Sequence, residues 1–170
     1  MSRSFTLVKE FKIVGSCTAV YPGIYEQVVD AGALPTCTIR TSGRDMTILA
    51  GPGNGECLLS GHLDGPRKSR VVFIALGSTT TASLDANSGT LWSFDDFDGA
   101  RYTWLDGMFE MSWKLEDPLG NQIANFQALS DSRKIEGVLV VLARVSEPML
   151  MLILATAKLV LKSAQAASSK

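Results

Sequence analysis

A single histidine, His62, stands two residues from Ser60 and two from Asp64. Serine, histidine and a carboxylate are the residue types of acyl transfer, in which the imidazole takes the serine proton and the carboxylate orients the ring. On an extended strand, however, residues two apart point in parallel and not at one another. A surface or hydrogen-bonded structural histidine is therefore the favoured reading, and a hydrolase-type enzyme using His62 with Asp64 is the alternative. One histidine also excludes a paired-histidine zinc site, and no C-x-x-C pair is present to replace it. The expectation is no catalytic residue, no metal and no cofactor.

The densest basic run is Pro66-Arg67-Lys68-Ser69-Arg70. Three cations beside a turn suit a phosphate or a phospholipid headgroup, gripped through charge-assisted hydrogen bonds. Arg67, Lys68 and Arg70 are thus the candidate headgroup-binding residues, weighed against a plain solvated loop. Asp95, Asp96 and Asp98 before Gly99 resemble part of a calcium loop, but the EF-hand pattern requires a glutamate six positions after its glycine, where Leu105 stands. A solvated hairpin tip is the better account. Gly51-Pro52-Gly53-Asn54-Gly55-Glu56 has the glycines of a phosphate loop without its terminal Lys-Ser/Thr, and it leads into a strand, so it reads as a β-turn. Trp92, Trp104 and Trp113, with Phe94 and Tyr102, could stack bases or sugars; at alternate positions of half-buried strands such rings belong to a core.

The elements that hold these residues follow from periodicity. Phe5, Leu7, Phe11 and Ile13 share one parity, with Lys9 as the exception, and Thr6, Glu10 and Lys12 take the other, which predicts a strand with one buried face. Gly15 to Pro35 reads as irregular, with a short strand around Tyr25–Val29. Short extended runs then alternate with turn chemistry: Cys37–Thr41 and Met46–Ala50 around Ser42-Gly43-Arg44-Asp45, then Cys57–Leu63, Val71–Leu76, Thr79–Leu84 and Leu91–Phe94. The unbroken apolar run Val71–Leu76 predicts burial on both faces. Asp98-Gly99 and Asp117-Pro118-Leu119-Gly120 mark two further hairpins, because glycine accepts the positive φ of tight turns and proline presets the turn's second residue. Ile135–Val145 closes the series of ten or so strands, the pattern of an all-β barrel or sandwich.

The last segment is different in kind. Ser146 suits an N-cap, Glu147 the positive end of a helix dipole, and Pro148 a first turn. Met149-Leu150-Met151-Leu152-Ile153-Leu154-Ala155 then offers no polar residue on any side, and a helix apolar all round must be surrounded. Met149 to Leu161 is short of the roughly 20 apolar residues that cross a bilayer, so no transmembrane segment is expected and the strands must sheathe this helix. Burying six or so of its aliphatic side chains is worth on the order of 10 kcal/mol of gross transfer energy. Lys158 and Lys162 fall on one edge, which predicts a helix that starts buried and emerges, before a frayed tail of small polar residues, Ser163–Lys170.

A sheet of short strands plus one apolar terminal helix is a restrictive combination, and Trp92 to Leu161 resembles the C-terminal part of the tubby-like C-terminal superfamily. That group includes LURP-one-related proteins, phospholipid scramblases and small fungal proteins. The residues that carry the resemblance are Asp98-Gly99-Ala100-Arg101-Tyr102-Thr103-Trp104, Trp113-Lys114-Leu115, Gly120-Asn121-Gln122-Ile123-Ala124 and the helix behind Glu147-Pro148-Met149. It implies a mainly β fold: a closed antiparallel barrel of about twelve strands enclosing a hydrophobic C-terminal helix. Members of the group bind phosphoinositides, but Arg67, Lys68 and Arg70 do not map onto their binding positions one by one.

A net charge of −1 gives no field to draw the chain onto nucleic acid, and no such partner is expected. Cys17, Cys37 and Cys57 are odd in number and follow no secretion-type leader, which predicts a reducing compartment and a cytoplasmic protein, peripheral at membranes if it reads lipid. No composition break divides the chain, so one domain, 1–165, with a frayed tail, 166–170, is expected. The functional expectation is a non-catalytic intracellular binding module for phospholipid headgroups or a protein partner. A structural or oligomer-forming protein stands beside the hydrolase as an alternative.

Overall fold

The computed structural model describes residues 2–10, 15–25, 33–64, 69–84, 91–129 and 134–169. Twelve antiparallel strands close into one barrel: β1 (Arg3–Glu10), β2 (Ser16–Pro22), β3 (Cys37–Ser42), β4 (Asp45–Ala50), β5 (Cys57–Asp64), β6 (Arg70–Ala75), β7 (Ser78–Leu84), β8 (Trp92–Asp95), β9 (Arg101–Asp106), β10 (Ser112–Glu116), β11 (Gln122–Ala128) and β12 (Ile135–Val141). Each strand pairs with its sequence neighbours, and β1 pairs with β12 to complete the ring. Closure removes the unpaired edges through which open sheets aggregate.

Helix α1 (Glu147–Ser168) begins behind its expected cap: Ser146 Oγ accepts from Met149 N at 3.3 Å, with proline in the first turn. Every residue from Met149 to Leu161 is buried. Burial on all sides for more than three turns puts this helix inside the barrel, as its uninterrupted apolar run demanded. By length and composition alone α1 would also suffice to cross a bilayer, but 78% of its most apolar window is buried among the strands.

The wall supplies its core by alternation. Phe5 and Leu7, Met46 and Ile48, Val71 and Phe73, Trp113 and Leu115, and Leu139 and Val141 are successive inward residues of their strands. Gly61 and Gly137 are glycines for a packing reason. A Cβ on Gly61 would sit 2.7 Å from the Phe73 ring, and one on Gly137 would sit 2.6 Å from that of Phe126.

Helix and wall are keyed by directional bonds as well as by volume. Trp104 donates Nε1–H to Thr156 Oγ1 at 2.9 Å, and Trp92 donates to Ser163 Oγ at 2.9 Å. Lys158 Nζ donates to Glu136 Oε1 at 2.5 Å, while Thr18 Oγ1 donates to Glu136 Oε2 at 2.8 Å. Glu136 reaches inward because the β1–β12 register slips there: Leu7 pairs with Gly137 and Val8 with Ile135, leaving Glu136 as the extra residue of a bulge. A bulge re-aims a side chain that strict alternation would send outward. Three polar helix positions thus meet three wall groups, which fixes the rotation and depth of α1.

Several expectations need correction. The stretch read as irregular contains β2, which its mixed Ser16–Pro22 sequence disguised; residues 26–29 of the expected strand there lie outside the described residues, as do Phe11 and Ile13. β1 buries Thr6 and Val8 as well as its apolar parity, and Thr6 is satisfied by donating to Gly23 O and accepting from Tyr25 N. β6 alternates after all: Ile74 is 49% exposed and Leu76 sits in a turn. The last strand stops at Val141, because the chain must turn back into the barrel. Lys158 is buried instead of marking an exposed edge, and α1 continues to Ser168, past the expected start of fraying.

Candidate functional site

Antiparallel order sorts the turns onto two ends of the barrel. One end carries the chain before β1 and after β2, the turns β4–β5, β6–β7, β8–β9 and β10–β11, and the start of α1. The other carries β3–β4, the start of β6, β9–β10 and the last turns of α1. The two ends have different chemistry.

Of the basic segment, Ser69 and Arg70 are described, at the second end. Arg67 and Lys68 are outside the described residues; Arg70 opens β6, exposed, and stands in register with Asp64 of β5. The exposed Arg44 lies in the adjacent hairpin, its carbonyl accepting from Leu63 N at 2.7 Å. Lys9, Lys134 and Lys162 belong to the same end. Among the described residues the turns of the opposite end hold no lysine. This partition was invisible in the sequence, where the lysines are scattered and only strand order gathers them.

Ser60, His62 and Asp64 project from one face of β5, as a period of two requires, and the partner of His62 is elsewhere. Its Nδ1 is 2.8 Å from Asp45 Oδ1 on β4, its direct cross-strand neighbour, and both side chains are exposed. The arrangement orders a surface imidazole through the neighbouring strand.

The two aspartate turns prove to be one device used twice. Asp96 Oδ1 accepts from Asp98 N and Ala100 N, and Asp117 Oδ1 accepts from Leu119 N and Asn121 N, all at 2.8–2.9 Å. Gly99 and Gly120 hold φ of 88° and 83° at equivalent places. Backbone amides, led by that of Asn121, hold the Asp117 carboxyl below its ordinary value. These oxygens are engaged within their own turns, and among the described residues no group of three histidine, cysteine, aspartate or glutamate side chains is arranged to hold a metal ion.

The glycine run 51–55 is a turn between β4 and β5 whose Gly51 carbonyl accepts from Thr38 Oγ1. The tryptophans are core, with Trp104 fully buried and Trp113 stacked on Phe126 at 6.0 Å. Cys37 lies in the barrel wall, and burial, with a smaller contribution from Glu147, pushes its thiol up to about 12. Cys17 is likewise buried, while Cys57 is exposed. With α1 filling the interior, the hollows lined by described residues include one of about 450 Å³ between Lys9, Glu136, Leu161 and Gln165, where α1 leaves the barrel. Another of about 290 Å³ runs along β10 and β11, and one of about 250 Å³ lies beside the start of α1.

No family model matches this chain, and no match was found among curated proteins or solved structures.

Proposed function

We propose that this chain is a non-catalytic binding module that works from its outer surface and takes the anionic headgroup of a membrane phospholipid at the barrel end where Arg70 opens β6. The observation behind this reading is the sorting of lysines: Lys9, Lys134 and Lys162 share the end where Arg44 and Arg70 stand, while the described turns of the other end have no lysine and carry Arg3, Arg101 and Arg144. The same end also carries Glu10, Asp45, Asp64, Asp106 and Glu110, so the reading rests on local groups of cations, which act on a charged surface even where net charge is near zero. The filled interior favours a surface mode, since the helix occupies the space that a ligand-carrying barrel leaves open. The anionic cytoplasmic leaflet is the membrane face that fits. The tubby-like resemblance is compatible with this reading and adds the same barrel-and-helix architecture.

A hydrolase built on His62 has less behind it, because its ring is bonded to the exposed Asp45 and lies alongside Ser60 on the strand. Liposome flotation separates the possibilities. Vesicles of phosphatidylcholine with phosphatidylserine or a phosphoinositide should bind the protein, and raising the salt should release it. Replacing Arg67, Lys68 and Arg70 by glutamine should weaken binding about 100-fold, at ~1 kcal/mol for each cation near the surface. Binding that ignores both salt and the triple substitution would refute the headgroup reading, and loss of function on replacing His62 alone would favour the enzyme.

A further inference from the structure

The hollow where α1 leaves the barrel combines apolar and charged lining. Leu161 and Gln165 stand one helical turn apart on α1, with Met111, Leu129 and Ile135 on the facing wall. Lys9 and Glu136 are the charged groups of the lining. At about 450 Å³ the hollow falls within the roughly 300–1,000 Å³ range of small-molecule sites. Its size suits a small ligand.

Charge decides what that ligand carries. Glu136 has both oxygens engaged, Oε1 by the Lys158 ammonium and Oε2 by the Thr18 hydroxyl. Lys9 stands directly across from Thr18 in the β1–β2 register, where it breaks the apolar parity of Phe5 and Leu7. Glu10, on the other face of β1, accepts from the Cys17 thiol at 3.3 Å. The last carbonyls of α1 would repel an anion, and two are answered locally: Ser168 Oγ donates to Ala164 O and Ser169 Oγ to Gln165 O. Among the described residues no side chain pairs with the Lys9 ammonium or the Gln165 amide. One cation and one amide are left to receive an anionic group.

Backbone strain marks the same place. Met111, just before β10, takes φ of 55°, a conformation that glycine or asparagine adopts at less cost. Such strain clusters where a side chain serves a site, and Met111 lines the hollow. Its unbranched thioether adapts to the shape of an apolar guest.

We propose that this hollow binds a small, free amphiphile with one anionic group. Its carboxylate or phosphate sits on Lys9 and Gln165, and its apolar body packs against Met111, Leu129, Ile135 and Leu161. Strands β12 and β6 lie on opposite sides of the ring, so the hollow is separate from Arg70 and does not rest on the headgroup reading.

The test is a titration of the full chain, carrying methyl-labelled methionine, with decanoate below its micellar concentration. The expected result is a saturable shift of the Met111 methyl resonance, with Met149 and Met151 in the first turns of α1 unmoved. Decanol, which lacks the charge, should bind about tenfold more weakly, the scale of one charged hydrogen bond. Lys9→Gln should abolish that difference, and Gln165→Trp, which fills the hollow from an exposed position, should block both probes. Both variants should melt with the parent, which separates lost binding from lost folding. The absence of a saturable Met111 shift overturns the proposal, as does equal binding of the two probes or a preference that survives Lys9→Gln. A shift confined to the exposed Met108 is adsorption to the β9–β10 turn and overturns it too. Phosphatidylserine vesicles that move Met111 where decanoate does not overturn it in favour of a lipid held in a bilayer.

Discussion

The interior of the barrel and its rim obey different rules. Inside, aliphatic side chains fill the space, and each described buried polar side-chain atom has a partner. At the rim stand an exposed His62–Asp45 pair, leucines at 87% and 93% exposure and unevenly sorted lysines. The interior is what holding a helix in a closed sheet requires. Residues beyond that requirement survive at the rim, and a function carried by the surface is therefore sought there.

The sharpest way to break this contrast is to remove an interior partner. Glu136→Ala leaves Lys158, only 4% exposed, without its carboxylate. Stranding a buried cation costs about 3–5 kcal/mol, to be read from the urea midpoint. Replacing both residues with apolar groups should recover most of that loss. If Glu136→Ala costs no more than a surface substitution, the helix is not keyed to the wall in the way described.

A smaller effect belongs to the rim. The folded Asp117 carboxyl lies below its ordinary value because backbone amides favour its charged form. The stabilisation is present above the ordinary carboxylate pKa and is lost as pH falls through the depressed folded-state value. Asp117→Ala should therefore melt below the parent at neutral pH, and the gap should close in strong acid. A gap independent of pH would remove the amide-held carboxylate from the account.

The smallest effect concerns reactivity and leaves stability untouched. Cys37, raised to about 12 by burial, and the buried Cys17 should resist alkylation of the native protein at neutral pH, while the exposed Cys57 reacts. Mass spectrometry should find one modified thiol, and none in Cys57→Ser. Labelling of Cys37 before unfolding would mean that the wall opens.

Much of the barrel was readable locally. Asp98-Gly99, Asp117–Gly120 and Ser42–Asp45 mark hairpins because turn geometry selects residue type within a few positions. β2 escaped because Ser16-Cys17-Thr18-Ala19 lacks clear alternation and draws its stability from β1 and β3. Val71–Leu76 misled because an apolar run looks alike whether one face or two are covered. Of the proposed headgroup cations, Arg70 was legible as a charge, but that it shares an end of the barrel with Arg44 and Lys134 was not.

The sequence alone determined that the terminal helix had to be enclosed, since apolar side chains all round a cylinder leave no face for water. It also determined where most strands turn. Only the tertiary structure decided that Glu136 faces inward, that Lys158 is buried beside it, and which turns share an end. Those depend on register and closure, and a one-residue slip in strand pairing, which no local pattern records, reverses the direction of a side chain.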